Sequence, residues 1–315
     1  MKSTCIHRFS TAKRLIVCFL VVTCQKFPVL AQSIPLPYGD SANPAELFEK
    51  MFGEDTEADR AKLEKIDVSL SEEQNFGQQI VDSALATLNQ SDIRVDRKGR
   101  DVEYLQSLVA TLQPLMRNNQ RYKSIQVLIA RSPRIDARSY PGGTLIFFDG
   151  LLDLVPNEAA LVGIVGHELS HLDRGHQLLP IKRMKLLEKS FSPTGHGLNF
   201  PMPDTQMAKL WARPFRPEDE RDADQDGVAW SFAAGYDPRE MAKVFQKKGG
   251  KSSTPDEIPW STFFRSHPYD QERHASILKQ YKQLQKQSPS EGHLFLGREN
   301  LKKRFSRKQE EDAAK

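Results

Sequence analysis

Asn157-Glu-Ala-Ala-Leu-Val-Gly-Ile-Val-Gly-His167-Glu168-Leu169-Ser170-His171-Leu-Asp-Arg-Gly175 is the stretch that settles what kind of chain this is. Its first half is almost wholly apolar, and it is bounded by a capping asparagine and a terminal glycine. It therefore predicts a buried helix. On that helix His167 and His171 stand four residues apart on one face, with Cβ atoms about 5–6 Å apart, the separation two imidazoles need to share one metal. Glu168 projects to the side where a water on that metal would lie, which makes it the expected general base. Two histidines and a glutamate on a buried helix need partners.

A catalytic zinc takes three protein ligands and keeps one position open. The third ligand is either a histidine or a carboxylate. A metzincin continues past the second histidine with a glycine and a third histidine, where this chain has Arg174 and Gln177, so that subclass is excluded. The best carboxylate is Glu220, on a second helix expected to start after Pro217, carry Glu218 to Ala234 and end at Gly235. Asp224, four residues on, shares its face and would accept the free N–H of a ligand histidine. Glu218 and Asp219 read as the acidic first turn that the helix dipole favours.

Working outward, Ser71 and Gln74 suggest a capping box for an earlier helix with Ile80, Ala84, Leu85 and Leu88 on its apolar face. A further helix is expected from about Asp101 to Met116. Ile125 to Ile129 and Thr144 to Phe148 read as strands, with Pro141-Gly142-Gly143 as the turn before the second. That turn and strand, just ahead of the metal helix, suggest Gly142, Gly143 and Thr144 as substrate-binding residues, a peptide adding as a strand to the sheet edge. Residues 192–204 form a Pro/Gly-rich loop, read equally as a lid or a connector.

These motifs together resemble the gluzincin family that includes the CAAX prenyl protease and the bacterial HtpX and BepA peptidases. Asp136-Ala137 through Pro141-Gly142-Gly143 is similar to that family's Asn-Ala-x-x-x-Pro-Gly-Gly, with Asp136 in place of the usual asparagine. Asn157 through His176 resembles its metal-binding helix, Glu220 to Asp224 its Glu-x-x-x-Asp, and Ser266-His267-Pro268 with Arg273 its late His-Pro…Arg element. The resemblance implies an α+β, mostly helical zincin-like domain with a small β-sheet beside the zinc helix. It also implies that His267 faces the metal, as a catalytic oxyanion donor, and that Arg273 helps hold the site. Read by itself, His267 is only a histidine before a proline.

Residues 1–31 carry Lys2, Arg8, Lys13, Arg14 and Lys26 and no acid, then an apolar run and Val29-Leu30-Ala31. This predicts a signal peptide and an exported, periplasmic or extracellular protein, with an uncleaved N-terminal anchor as the lesser alternative. Without those five basic residues the formal charge of +4 becomes −1, so a globally basic nucleic-acid binder is not indicated. All three cysteines precede residue 32, which leaves no thiolate for catalysis or metal binding in the mature chain. The expected organisation is a Pro-rich linker and N-terminal segment over 32–65, a metallopeptidase domain over 66–285 and a basic polar tail over 286–315. Peripheral membrane association through that tail stays open. The expected activity is that of a zinc-dependent metalloendopeptidase with one Zn2+ per chain, acting on protein or peptide substrates. The alternative is a zinc-binding envelope quality-control factor with weak or latent proteolysis.

Overall fold

A computed structural model describes residues 56–191, 215–246, 267, 271–288 and 293–315, all within one unit, Ser41–Lys315. The expected signal peptide and the loop 192–204 lie outside the described residues, as do positions 32–55 of the linker. Helix α1 (Glu57–Glu64) opens at a Thr56–Asp59 capping box. Helix α2 (Leu70–Gln90) opens two residues before the expected Ser71 cap. Ser69 and Ser71 are both candidates, but the Glu72 carboxylate reaches back to the Ser69 N–H at 2.8 Å while Ser69 caps Glu72, which satisfies two orphan donors at once.

A short strand β1 (Val95–Asp96) leads to α3 (Arg100–Leu112), which a 3-10 turn over 113–115 extends. Then come β2 (Gln126–Ala130), β3 (Ala137–Tyr140) and β4 (Thr144–Phe148), in the sheet order β1-β2-β4-β3. β2 and β4 are parallel and the other pairs antiparallel. Both faces of this sheet are covered, which is why β2 and β4 read as unbroken apolar runs. Leu128, Ala130, Ile146 and Phe148 pack with Val81 and Leu88 of α2. Val127, Ile129, Leu145 and Phe147 face the main core with α3 and the metal helix.

After α4 (Asp149–Leu154) comes the predicted metal helix, α5 (Glu158–Arg174). Asn157 Oδ1 caps the Ala160 N–H at 3.0 Å, and Gly175 ends the helix at φ 71°, a left-handed conformation that favours glycine. A 3-10 turn (His176–Leu178) follows, then α6 (Leu179–Phe191), α7 (Pro217–Ala233), α8 (Arg239–Gln246) and α9 (Gln271–Gln287). Among the described residues no helix is long and apolar enough to cross a membrane.

Composition reads 286–315 as a polar tail, but residues 286 and 287 end α9, and the described stretch 293–315 packs on the domain. It holds α10 (Arg298–Lys303) and α11 (Arg307–Ala313). The Phe295 N–H donates to Gly235 O at 2.9 Å, and Leu301 joins the main core. Gly297 O and Leu296 O accept the first N–H groups of α5, from Glu158 at 3.2 Å and Ala159 at 3.0 Å. Glu158 Oε1 in turn accepts from the Tyr236 hydroxyl at 2.8 Å and the Arg307 N–H at 3.1 Å. The few apolar residues that anchor this segment are scattered among lysines and arginines, so no periodicity announces them.

Candidate metal centre

Two helices make the site because glycines let them approach. A Cβ on Gly166 of α5 would lie 3.0 Å from the Gly227 Cα of α7, and one on Gly227 would lie 3.1 Å from the His167 nitrogen. At that crossing α5 presents His167 and His171, and α7 presents Glu220 and Asp224. Each pair is four residues apart and so shares a face. All four side chains are buried.

One donor atom from each of His167, His171, Glu220 and His267 lies within 4.8 Å of the others. The Nε2 atoms of His167 and His171 are 3.1 Å apart, and each is 3.5 Å from a Glu220 oxygen. His267 Nδ1 is 3.1 Å from His167 Nε2 and 3.0 Å from Glu220 Oε1. Thus the structure brings His267 to the group, with Nδ1 among the metal donors and Nε2 turned to Glu168. Its neighbours Ser266 and Pro268 lie outside the described residues.

Behind His167, Asp224 Oδ1 stands 2.9 Å from Nδ1, and Arg273 holds both oxygens of Asp224 at 2.7 and 2.8 Å. The same guanidinium reaches Glu220 Oε2 at 2.9 Å. Arg273 thus bonds both carboxylates of α7 at the site. Glu168 Oε2 accepts the Ser139 N–H of β3 at 2.8 Å, while its Oε1 is 3.2 Å from His267 Nε2. His267 Nε2 is also 3.3 Å from Ala137 O. The outer edge of β3 is thus turned towards Glu168 and His267.

The electrostatics follow from burial and neighbours. Burial pushes the Glu168 carboxyl above its ordinary range. Burial alone would depress His167, yet the carboxylates of Glu220 and Asp224 overrule it and push its pKa up to about 9. His171, with less carboxylate around it, is held well below its ordinary value by burial. Glu220 stays well below the usual range because the imidazoles of His267 and His167 outweigh its desolvation. Asp224 is likewise lowered, by Arg273 against the effect of burial.

The donor set fits a divalent cation. Glu168, Glu220 and Asp224 are buried carboxylates, and among the described residues the buried guanidinium beside them is Arg273, on Glu220 and Asp224. Imidazoles that bind a metal are neutral, and with the three carboxylates ionised the group would then carry two negative charges for a cation to balance. Two or three imidazole nitrogens with one carboxylate oxygen suit zinc.

Gly142, Gly143 and Thr144 stand elsewhere. The Gly142 N–H donates to Glu73 Oε1 at 3.0 Å, and a Cβ on Gly77 of α2 would meet Pro141 O at 1.9 Å, so α2 covers the turn. Thr144 pairs with Gln126 on one side and Tyr140 on the other, inside the sheet. The hairpin residues that reach the site are Ala137 and Ser139, through backbone atoms, which no residue type could mark. Sequence reasoning also assigned no role to Phe215, whose ring stacks on His171 at 3.8 Å, or to His176, 2.9 Å from the same imidazole.

Comparison with known proteins agrees with this geometry. A profile described as peptidase family M48 matches residues 100–281 of the 315. The chain is also similar to the mitochondrial metalloendopeptidase OMA1 of Arabidopsis thaliana, with 31% identity over 132 residues. That match spans 40% of this chain and 26% of the relative. The matched profile runs from α3 through the metal helix and Glu220 to Arg273 and beyond, over more than half of the sequence: the chain belongs to peptidase family M48.

Proposed function

We propose that this protein is an exported zinc metalloendopeptidase in which His167, His171 and Glu220 hold one zinc ion and Glu168 is the general base. The observation that carries the reading is Glu168 itself. It is a buried carboxylate beside the imidazoles of His267 and His167, with one oxygen bonded by the Ser139 N–H and the other turned to His267.

Zinc, when bound, supplies a Lewis acid for the scissile carbonyl and lowers the pKa of a water. Glu168 takes the proton from that water as its oxygen bonds to the carbonyl carbon. It then delivers the proton to the amine as the C–N bond breaks. The raised carboxyl pKa brings both transfers nearer to balance at neutral pH. Asp224 fixes the ring of His167, and Arg273 fixes Asp224 and Glu220. His267, whose Nε2 lies 3.2 Å from Glu168, would donate to the developing oxyanion. A peptide substrate would lie along β3, the outer strand. Glu168→Gln is expected to keep its zinc and lose casein cleavage by about a hundredfold or more; cleavage at the wild-type rate would sink this mechanism.

The basic and then apolar N-terminus ending at Val29-Leu30-Ala31 supports removal of residues 1–31 and action on exported or envelope proteins. N-terminal sequencing of the mature protein tests this, with Gln32 expected first.

One observation favours a second reading. Four protein donors, with His267 as the fourth, describe a closed site, whereas a catalytic zinc keeps a position open. A quality-control factor with latent proteolysis would use the site in that closed form. Under that reading Glu168→Gln restores function to a deletion strain, and under the first it does not.

A further inference from the structure

The two metal-helix histidines are backed by different chemistry. His167 has the ordinary arrangement, a carboxylate at its outer nitrogen. His171 has another imidazole: its Nδ1 stands 2.9 Å from Nδ1 of His176. Two ring nitrogens that close must share a hydrogen, so one donates and the other accepts.

The metal reading fixes which. If His171 binds zinc through Nε2, which faces His167 and Glu220, its hydrogen sits on Nδ1. His176 Nδ1 is then the acceptor, and the hydrogen of His176 sits on Nε2. That nitrogen faces Asp219 Oδ1 at 3.7 Å, longer than a direct hydrogen bond but close enough for the carboxylate to attract an N–H there. Asp219 is itself gripped by Arg216 at 2.7 and 2.8 Å. The tautomer of His176 thus follows from that of His171. The left-handed turn at Gly175 folds residue 176 back over His171, five positions earlier.

We infer that His176 is a positioning residue for the metal: by accepting the Nδ1–H of His171, and being oriented by Asp219, it holds the His171 ring in its ligating tautomer and orientation. The inference rests on the zinc site proposed above.

The test is zinc affinity of the full chain, measured by competition with a chelator, for His176→Leu and His176→Asn. Asparagine places an amide oxygen close to where histidine Nδ1 stood, while leucine is of similar size and accepts nothing. His176→Leu should bind zinc about 10- to 100-fold more weakly, and His176→Asn should recover at least half of that loss on a logarithmic scale. A leucine variant within about threefold of wild type, or an asparagine variant no better than leucine, overturns the inference. Should His176→Leu fail to fold, His176→Ala takes its place under the same criteria. His171→Ala separates the two claims: if it binds zinc like the wild type, the zinc site is wrong. If it loses zinc while His176→Leu does not, only the role of His176 falls.

Discussion

Helix α7 carries two acidic pairs of the same spacing, Glu220 with Asp224 and Asp222 with Asp226, and they end in different chemistry. The first pair meets His167, His171 and the guanidinium of Arg273. The second meets Arg174, which reaches Asp226 at 2.6 Å and Asp222 at 2.7 Å. Arg117 and Ser170 add bonds to Asp226 at 2.9 and 2.8 Å. The facing helix α5 is built in the same way, with His167 and His171 on one side and Ser170 and Arg174 on the other. Spacing sets which side chains meet, and residue type decides what they become. Carboxylates facing imidazoles leave charge for a cation; carboxylates facing guanidinium are already balanced.

The comparison can be broken by removing one acid at a time. The largest effect is expected for Glu220→Ala. It should lose zinc by more than the roughly 10- to 100-fold typical of an outer partner, and casein cleavage with it; zinc content by mass spectrometry reads this directly. Asp224→Ala should fall within that 10- to 100-fold range, seen as faster zinc release to a chelator. Asp226→Ala should instead leave zinc affinity within about threefold and cost about 2–4 kcal/mol in urea unfolding, because it strands the half-buried Arg174 and the buried Ser170. If Asp226→Ala loses zinc as Glu220→Ala does, the two sides are one unit and the distinction fails.

A pH series sharpens the same contrast. Although burial opposes it, Arg174 and Arg117 hold Asp226 at a pKa of about 2, below its ordinary 3.8. A depressed carboxyl stabilises the fold above the unfolded pKa and loses that contribution as pH falls through the folded one. The stability gap between wild type and Asp226→Asn should therefore be constant above pH 3.8 and close towards pH 2. The smallest effect belongs to Asp222→Ala. Its side chain is 44% exposed, so its ion pair should contribute less than about 1 kcal/mol to unfolding stability.

The legibility of this molecule in its sequence divides along similar lines. The bounds of α5, the strand Thr144–Phe148 and the Glu220–Asp224 face were readable because caps, apolar runs and four-residue spacing are local. β3 was not. Ala137-Arg138-Ser139-Tyr140 has no strand pattern of its own and owes its conformation to pairing with β4. The contribution of Ser139 to the site is a backbone N–H and leaves no trace in residue type. The Arg174–Asp226 pair was hidden because an arginine ending one helix and an aspartate within another look like solvated charges until the helices cross. The substrate residues were placed at the turn because Pro-Gly-Gly is conspicuous, whereas the strand edge beside Glu168 lies at Ala137 and Ser139.

The C-terminal segment that caps α5 has a consequence for how the protein is made. The Glu158 carboxylate and the Arg307 N–H that it accepts are 149 residues apart. A ribosome delivers the metal helix long before it delivers Leu296, Gly297 and Arg307. Until then the first turn of that helix lacks the carbonyls that receive its N–H groups, and contacts so distant in sequence form late. A nascent chain that has emerged only through Arg273 holds every proposed zinc-site residue, but its metal helix is not yet secured. Completion of the helix is thereby deferred until residues 296–307 have been made, which would keep a chain that stops short of them from becoming a working hydrolase.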